Sequence, residues 1–248
     1  MLNYRMLPLG AAVLLGCAGA QTKTPVVTNS DEGKSTSASG DAAAKRGTSF
    51  VRFVNALPGS GDLAVTADKR DLFASVGYET VTPYQETSDN IATFSLRAPG
   101  NGGELASNSE TMTDGYRYTI VALSDEKGGA SLRVLRDELV TDSGKARLRM
   151  IHAAPGLEDV DFVVQGWKDP VFNNISYSTE AGFKDVDPMT ATFEVRRDKG
   201  GARLVTVPKM TLKAGRSYTI ILTGVSPNKL SIITFDDTVV PGAVTAAK

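Results

Sequence analysis

The sequence predicts an all-β chain in which two tandem β-sandwich domains, immunoglobulin-like or transthyretin-like in character, follow a disordered linker. Three observations lead to this prediction. A long segment occurs twice, each copy alternates apolar and polar residues over short runs, and turn-forming residues separate those runs. A unit of about 95 residues built this way has the size of a sandwich domain rather than of a solenoid repeat.

Residues 1–16 have the pattern of an export signal. Arg5 supplies a positive start, and an apolar stretch from Leu7 to Leu15 follows it. That stretch is too short to remain as a helix across a bilayer. The pattern therefore predicts that the segment is removed after export.

The end of this signal, Leu14-Leu15-Gly16-Cys17, resembles the bacterial lipobox. The resemblance implies cleavage between Gly16 and Cys17, a diacylglycerol thioether on Cys17, and a fatty acid such as palmitate on the new N-terminus. Several acyl chains on one residue are needed for a stable hold. The resemblance therefore implies a lipid-anchored protein of the bacterial cell envelope. Retention at the inner membrane would usually show Asp after the cysteine, whereas Ala18 follows here. In a two-membrane species the resemblance thus implies anchoring in the outer membrane, facing the periplasm or the surface. An ordinary cleaved signal is the alternative.

Residues 17–49 are predicted to be the acylated N-terminus and a flexible linker. Their composition is mainly Ala, Gly, Ser, Thr, Asp and Lys, and Val26 and Val27 are the only large aliphatic residues. Such a stretch cannot bury enough apolar area to offset the entropy of ordering. We expect it to act as a tether.

The duplication is visible as a slowly drifting offset between matching residues. The offset is 97 residues at the start of the copies, 99 in their middle and 100 near their end. A drift of this kind indicates one duplicated unit with small loop insertions. It predicts domains at residues 50–142 and 146–239. The matched pairs include Val51-Arg52-Phe53 with Leu148-Arg149-Met150, Pro58-Gly59 with Pro155-Gly156, Phe73 with Phe172, Thr93-Phe94 with Thr192-Phe193, and Tyr118-Thr119-Ile120 with Tyr218-Thr219-Ile220.

Alternation within each copy predicts which strand face is buried. Leu148, Met150 and His152 share one face, while Arg149 and Ile151 fall on the other. A period of two places one face on a core and the other toward solvent, so we expect the Arg149 and Ile151 face to be solvated. Tyr118 and Tyr218, each three residues after a glycine, are expected to tie a loop to the following strand by their phenol groups.

Three segments of the second copy form a recognisable set of motifs: His152-Ala153-Ala154-Pro155-Gly156, Val160-Asp161-Phe162-Val163-Val164-Gln165-Gly166 and Leu212-Lys213-Ala214-Gly215-Arg216-Ser217-Tyr218-Thr219. Together they resemble the bacterial envelope domain known as domain of unknown function (4397). The first copy departs further, with Asn55 in place of the histidine. The resemblance implies a β-rich extracytoplasmic module, often in tandem behind an export signal, with no established activity.

The composition excludes several kinds of chemistry. One Cys and one His in 248 residues allow neither a disulfide framework nor a Cys/His zinc cage, and no cofactor motif is present. With 27 basic and 28 acidic residues, no charge excess steers the chain to nucleic acid. The predicted domains differ, however: residues 50–145 carry nine basic and fourteen acidic side chains, and residues 146–248 carry thirteen and eleven. Opposite signs favour docking of the two domains; the alternative is that the weakly basic second domain faces anionic envelope polymers.

His152 is predicted to stabilise a turn rather than to catalyse a reaction. It precedes a Pro-Gly turn, and the sister copy replaces it with Asn55. Asn shares with His a donor and an acceptor but not the ability to shuttle protons. The common role is therefore hydrogen bonding to the turn backbone.

Trp167 is the candidate binding residue. It is the only tryptophan, follows Gly166 in a predicted loop, and has no aromatic counterpart in the first copy. An exposed Trp can stack on a sugar or anchor a protein contact. Because tryptophan is usually mostly buried, however, we expect Trp167 to close the end of the sandwich core.

Two further patterns are interpreted as structural or coincidental. Glu158, Asp159 and Asp161 are dense enough to suggest calcium, but Asp159 and Asp161 are expected on a solvated strand face, so we predict no metal site. Ser226-Pro227-Asn228-Lys229 and Ser88-Asp89-Asn90 match elements of penicillin-recognising enzymes in the wrong order and in different domains.

The sequence therefore favours a non-enzymatic, membrane-anchored envelope lipoprotein that acts as a binding or adhesion module for a protein or polysaccharide. One alternative is a structural spacer in envelope assembly that has no ligand site. A weaker alternative is a carboxylate-based hydrolase, since two acidic residues suffice for glycoside hydrolysis.

Overall fold

The computed structural model describes residues 47–87, 90–100, 102–138, 142 and 144–237, all within one compact unit, Ala43–Lys248. The predicted signal, the acylation site and most of the linker, with Gly16 and Cys17, lie outside these residues, as do Ser88 and Asp89. The described part of the chain forms sixteen strands in four sheets of four, and no helix occurs in it. The prediction of an all-β chain with two sandwich domains is confirmed. Within the described ranges, no helix could cross a membrane.

The first domain contains eight strands in two sheets. One sheet has the order β4-β1-β7-β8 and the other β3-β2-β5-β6. The strands are β1 (Ser49–Asn55), β2 (Leu63–Ala67), β3 (Arg70–Val76), β4 (Gln85–Thr87), β5 (Ile91–Arg97), β6 (Glu104–Thr111), β7 (Arg117–Ser124) and β8 (Ala130–Asp137).

The second domain repeats this topology strand for strand, with sheets β12-β9-β15-β16 and β11-β10-β13-β14. In both domains the first and seventh strands are parallel: Phe53 lies opposite Ile120, and Met150 lies opposite Ile220. The strands are β9 (Ala146–His152), β10 (Val160–Val164), β11 (Phe172–Ile175), β12 (Thr179–Val186), β13 (Met189–Arg197), β14 (Arg203–Leu212), β15 (Ser217–Ser226) and β16 (Lys229–Asp236).

Each domain has its own apolar core between its two sheets. Phe53 and Phe73 stack in the first domain with ring centroids 6.1 Å apart, and Phe162 and Phe193 stack in the second at 5.0 Å. The tyrosines expected to tie loops to strands do so. The hydroxyl of Tyr118 accepts a hydrogen bond from the backbone N–H of Thr113 at 2.9 Å, and that of Tyr218 accepts one from Lys213 at 3.0 Å.

A third apolar core lies between the domains, on the strand face that the alternation pattern predicted to be exposed to solvent. Ile151 is 1% exposed and Arg149 1% exposed, so the expectation that their face is solvated was wrong. The reason is that the outer face of β9 and β15 packs against the equivalent face of β1 and β7. Alternation with a period of two shows that a strand has two different faces, but it does not show whether water or a second domain covers the less apolar face. This third core consists of Val54, Ala56, Val121, Leu123, Leu135, Ile151, Ala153, Ile221 and Ile233.

The same interface buries two arginines that exchange carboxylate partners between the domains. Arg149 of the second domain donates to Asp137 of the first at 2.6 Å, and Arg52 of the first donates to Asp237 of the second. Each guanidinium also donates within its own domain. Arg52 donates to the hydroxyl of Thr119 at 2.9 Å, and Arg149 donates to the hydroxyl of Thr219 at 3.2 Å. Such geometry satisfies charges that would otherwise be costly to bury.

Candidate functional site

Trp167 lies in the loop between β10 and β11, at one end of the second sandwich. Its side chain is 52% exposed, and it is one of the few large apolar side chains that are exposed among the described residues. The preceding Gly166 has a φ of +89°, a conformation that residues with a Cβ rarely adopt. A backbone hydrogen bond from Trp167 N–H to the carbonyl of Val164 at 2.9 Å closes this turn. The turn therefore directs the indole away from the core.

The Trp167 loop is longer than its counterpart in the first domain. Asp68 and Gln165 are equivalent, because their N–H groups donate to the carbonyls of Thr93 and Thr192, at 3.0 and 2.9 Å. The next matched residues, Phe73 and Phe172, are offset by two more positions. The extra residues fall in the loop that carries Trp167.

Two depressions border the indole. The first has a volume of 170 Å³ and combines an apolar floor with charged walls. In its wall Lys145 donates to Asp187 at 2.7 Å, and the carboxylate of the nearby Asp185 forms an ion pair with Arg147, 2.8 Å from its Nε. The lining residues are Lys145, Leu148, Val164, Trp167, Val171, Asp185, Val186, Asp187, Met189 and Phe193.

The second depression, of 490 Å³, has both apolar and polar side chains in its lining. Gln165 donates to the carboxylate of Glu194 at 3.2 Å, which fixes the amide, and the hydroxyl of Thr190 is hydrogen-bonded to Thr211 at 3.0 Å. The lining residues are Val164, Gln165, Trp167, Met189, Thr190, Ala191, Thr192 and Lys209. An exposed indole with amide, hydroxyl and ammonium groups around it can hold an apolar ring face and bond its polar edge.

His152 and Asn55 make equivalent hydrogen bonds in the two domains. His152 is buried at the end of β9; its Nδ1 accepts from Ala154 N–H at 3.3 Å, and its Nε2 lies 3.1 Å from the carbonyl of Glu158. Asn55 accepts from Leu57 N–H at 3.2 Å and donates to the carbonyl of Gly61 at 3.1 Å. In both domains the side chain fastens the turn that follows the strand.

Comparison with protein families decides the identity of the repeated unit. The domain of unknown function DUF4397 matches residues 49–163 and again residues 148–248. The chain belongs to the DUF4397 family. The resemblance read from the His152, Val160 and Leu212 segments is thereby confirmed, and so is the tandem arrangement.

Solved structures similar to this DUF4397 chain are distant β proteins. One is CBMbc, a family CBM26 module of Eubacterium rectale Amy13K, solved with maltoheptaose; it is 14% identical, covers 75% of this chain and 95% of its own, and has a TM-score of 0.22. Another is a candidate cell adhesion protein from Bacteroides fragilis, 8% identical, covering 74% of this chain and 85% of its own, with a TM-score of 0.23. At these TM-scores neither assigns a ligand to this chain. No curated protein matches the sequence.

The acidic group of the second DUF4397 copy is not a solvated edge throughout. Asp161 is 4% exposed, because its carboxylate accepts from the backbone N–H groups of Asn174 at 3.0 Å and Gly200 at 3.2 Å. The expectation that Asp161 faces solvent was therefore wrong: the carboxylate joins two loops. Among the described residues no group of three or more His, Cys, Asp or Glu side chains is placed to hold a metal ion.

The Ser-x-x-Lys pattern forms a tight hairpin. Ser226 pairs with Lys229 where β15 turns into β16, so the serine lies on a turn between strands rather than at the start of a helix. The carboxylates of Asp137 and Asp237 are buried against Arg149 and Arg52. Neither faces a depression beside Trp167.

Proposed function

We propose that this protein is a non-enzymatic, lipid-anchored binding module of the bacterial cell envelope, and that its second domain binds a polysaccharide through Trp167. The observation that carries the proposal is the exposed Trp167 on a loop extension that the sister domain lacks. An indole left half in water forgoes a large hydrophobic gain, which a binding partner would restore.

The surroundings of the indole favour a sugar over an apolar peptide. Gln165, Thr192 and Lys209 lie along one side of it, and Lys145 with Asp187 along the other. A pyranose has an apolar C–H face that stacks on an indole and hydroxyl groups at its rim that exchange hydrogen bonds with such side chains. A protein partner anchored on Trp167 is the other outcome of the test.

The test uses the intrinsic fluorescence of the protein. Since Trp167 is the only tryptophan, every change in indole emission on adding a polysaccharide reports this position. A panel of soluble envelope polysaccharides and glucans is titrated, and binding is confirmed by calorimetry. We expect one member to shift the emission to shorter wavelength, because stacking excludes water from the indole.

Two variants and a control sharpen this test. Trp167→Ala should abolish calorimetric binding, and Trp167→Phe, which keeps a ring, should retain part of it. Ile91→Ala removes an apolar side chain of the first domain that is more exposed than Trp167, at 67% against 52%, and this variant should bind as the parent does. If no polysaccharide binds while crosslinking in the native envelope captures a protein through Trp167, the glycan assignment is wrong.

A structural spacer is the second candidate, and the domain interface favours it. The third apolar core and the exchanged Arg–Asp pairs hold the sandwiches as one body, which suits a rigid spacer. A spacer predicts that Trp167→Ala leaves envelope integrity unchanged while deletion of one domain impairs it. Sensitivity of the cells to detergent and large antibiotics separates the two roles.

A further inference from the structure

A groove of 630 Å³ opens at the junction of the two domains, and none of its lining residues lines the depressions beside Trp167. Its walls come from the ends of β7, β8 and β9 and from the turn before β7. They are Asp114, Gly115, Tyr116, Arg117, Arg136, Asp137, Glu138 and Arg147.

Most charges in these walls already have partners. Arg147 lies 3.1 Å from the carboxylate of Glu138, and Asp137 is buried against Arg149. Arg117 and Arg136 differ, because no carboxylate of the described residues lies within ion-pair distance of either guanidinium. The groove therefore presents two positive groups whose hydrogen-bonding capacity is open to a ligand.

An aromatic ring holds one of these guanidinium groups in place. The guanidinium carbon of Arg136 lies 4.7 Å from the ring centroid of Tyr116, whose side chain is 41% exposed. A guanidinium stacked on a ring uses its face and leaves its N–H edge free, which is the edge that binds an oxyanion in bidentate fashion. Less freedom is then lost on binding.

The sister domain shows that the fold does not require this set. Arg136 lies opposite Tyr118 in the β7–β8 pair, and the residue opposite Tyr218 in the β15–β16 pair is Asp236. Tyr116 and Arg117 are likewise replaced, by Arg216 and Ser217. A stack and two arginines found at one end of a duplicated structure point to a ligand rather than to folding.

We propose that this groove binds a polysaccharide bearing oxyanions, with a carboxylate or phosphate group held by Arg117 and Arg136 and a sugar ring against Tyr116. The site is separate from the one around Trp167, and the two proposals do not depend on each other. Both carboxylate and phosphate match the guanidinium edge, so the experiment separates them by the polymer used.

Three polymers are titrated calorimetrically into the whole mature chain: polygalacturonate for carboxylate, polyphosphate for phosphate, and neutral dextran. We expect binding of at least one anionic polymer and none of dextran. Arg136→Gln and Arg117→Gln should each weaken that binding roughly ten-fold, the usual effect of removing a hydrogen bond to a charged group. Raising the salt concentration from 0.05 to about 0.5 M should weaken it as well.

The control is Arg133→Gln, which removes the same charge from the same strand outside the groove and should bind as the parent does. Trp167→Ala should also keep this binding, so a failure of the Trp167 proposal is recognisable. Thermal melting shows whether each variant is folded. Equal binding of dextran, no binding of either anion, or equal losses in the Arg133 and Arg136 variants would overturn the proposal.

Discussion

The guanidinium of Arg149 and the carboxylate of Asp137 meet at 2.6 Å across the two domains, with both side chains almost fully buried. Arg52 and Asp237 form the equivalent pair in the opposite direction. Arg149 Nη1 donates to the carbonyl of Arg136, and Arg52 Nη1 donates to that of Asp236. The duplicated domains therefore meet about a pseudo-two-fold axis, with each arginine completing its set of hydrogen bonds in the other domain.

Removing one member of such a buried pair should lower the free energy of unfolding far more than removing an arginine from an exposed ion pair. Arg149→Leu leaves the Asp137 carboxylate poorly compensated in the interface, and we expect a loss of about 3–5 kcal/mol in the free energy of unfolding. Adding Asp137→Asn should recover part of it. Urea denaturation followed by circular dichroism measures both values.

The control for that substitution is Arg203→Leu. Arg203 is also paired, with Glu194 at 3.5 Å, but its side chain is 58% exposed. Ion pairs of this kind contribute little. If Arg149→Leu shifts the denaturation midpoint no further than Arg203→Leu does, the exchanged pair does not hold the interface.

The outer strand face offers a direct comparison between sequence and structure. Alternation predicted a solvated Ile151, for which an Ala substitution would change stability by less than about 0.5 kcal/mol. Because Ile151 is 1% exposed in the inter-domain core, we expect Ile151→Ala to cost about 2–5 kcal/mol. Leu105→Ala, at a side chain 48% exposed on β6, should remain within the smaller range. A similar small effect at both positions would mean that the domains do not pack as described.

The features that could be predicted from the sequence are those that depend on contacts between residues close together in the chain or on comparison of the two copies. The duplication, the short strands and the turn role of His152 depend on residues near each other in the chain, and periodicity or repeat comparison reveals them. The burial of Arg149 depends on a surface of the other domain, which no local pattern encodes. An Arg at the same place in both copies, Arg52 and Arg149, with Asp137 and Asp237 likewise matched, was the signal that could have revealed it.

The candidate site divides in the same way. Trp167 was recognisable as a candidate from its uniqueness and its loop. The expectation that it closes the end of the core was wrong, because the turn at Gly166 leaves its side chain 52% exposed. The junction groove was not recognisable, because Tyr116 lies in the turn before β7 and Arg136 lies on β8, and the pairing of β7 with β8 brings them together.

His152 should make the stability of the protein depend on pH in a predictable direction. Burial lowers the pKa of His152 below its ordinary 6.5, because desolvation disfavours the charged ring more than the hydrogen bond to the Glu158 carbonyl and the charge of Asp159 favour it. In the neutral ring, Nδ1 accepts from Ala154 N–H and Nε2–H donates to the carbonyl of Glu158. Below pH 6.5 His152 takes up a proton in the unfolded chain, whereas in the folded protein it stays neutral until a lower pH. This contribution to stability is therefore present above pH 6.5 and is lost as the pH falls toward the folded pKa.

His152→Asn removes that dependence and copies the sister residue Asn55. We expect a folded variant that loses less stability than the parent between pH 7 and pH 5, as measured by urea denaturation at each pH. Burial and the neighbouring Asp137 raise the pKa of Asp237 to about 6, which acts in the opposite sense: that contribution is lost as pH rises from about 4 through 6. Because Asp237 is present in both proteins, the difference between them isolates His152. Parallel pH profiles would contradict the assignment.

The proposed lipid anchor would be attached through a single atom, the sulfur of Cys17. Cys17 is the only cysteine in the chain, so a thioether-linked lipid has no other place to attach. Cells producing the parent protein with a clickable palmitate analogue should yield a labelled protein in the membrane fraction. Cys17→Ser should give an unlabelled protein that is released from membranes, because a signal without the acylated cysteine leaves no chains to bury in the bilayer. Ala18→Ser, one residue further on, is the matched control and should keep both label and fraction. Retention of label by Cys17→Ser would show that the lipid is attached elsewhere, and an unlabelled parent would mean that the signal is cleaved in the ordinary way.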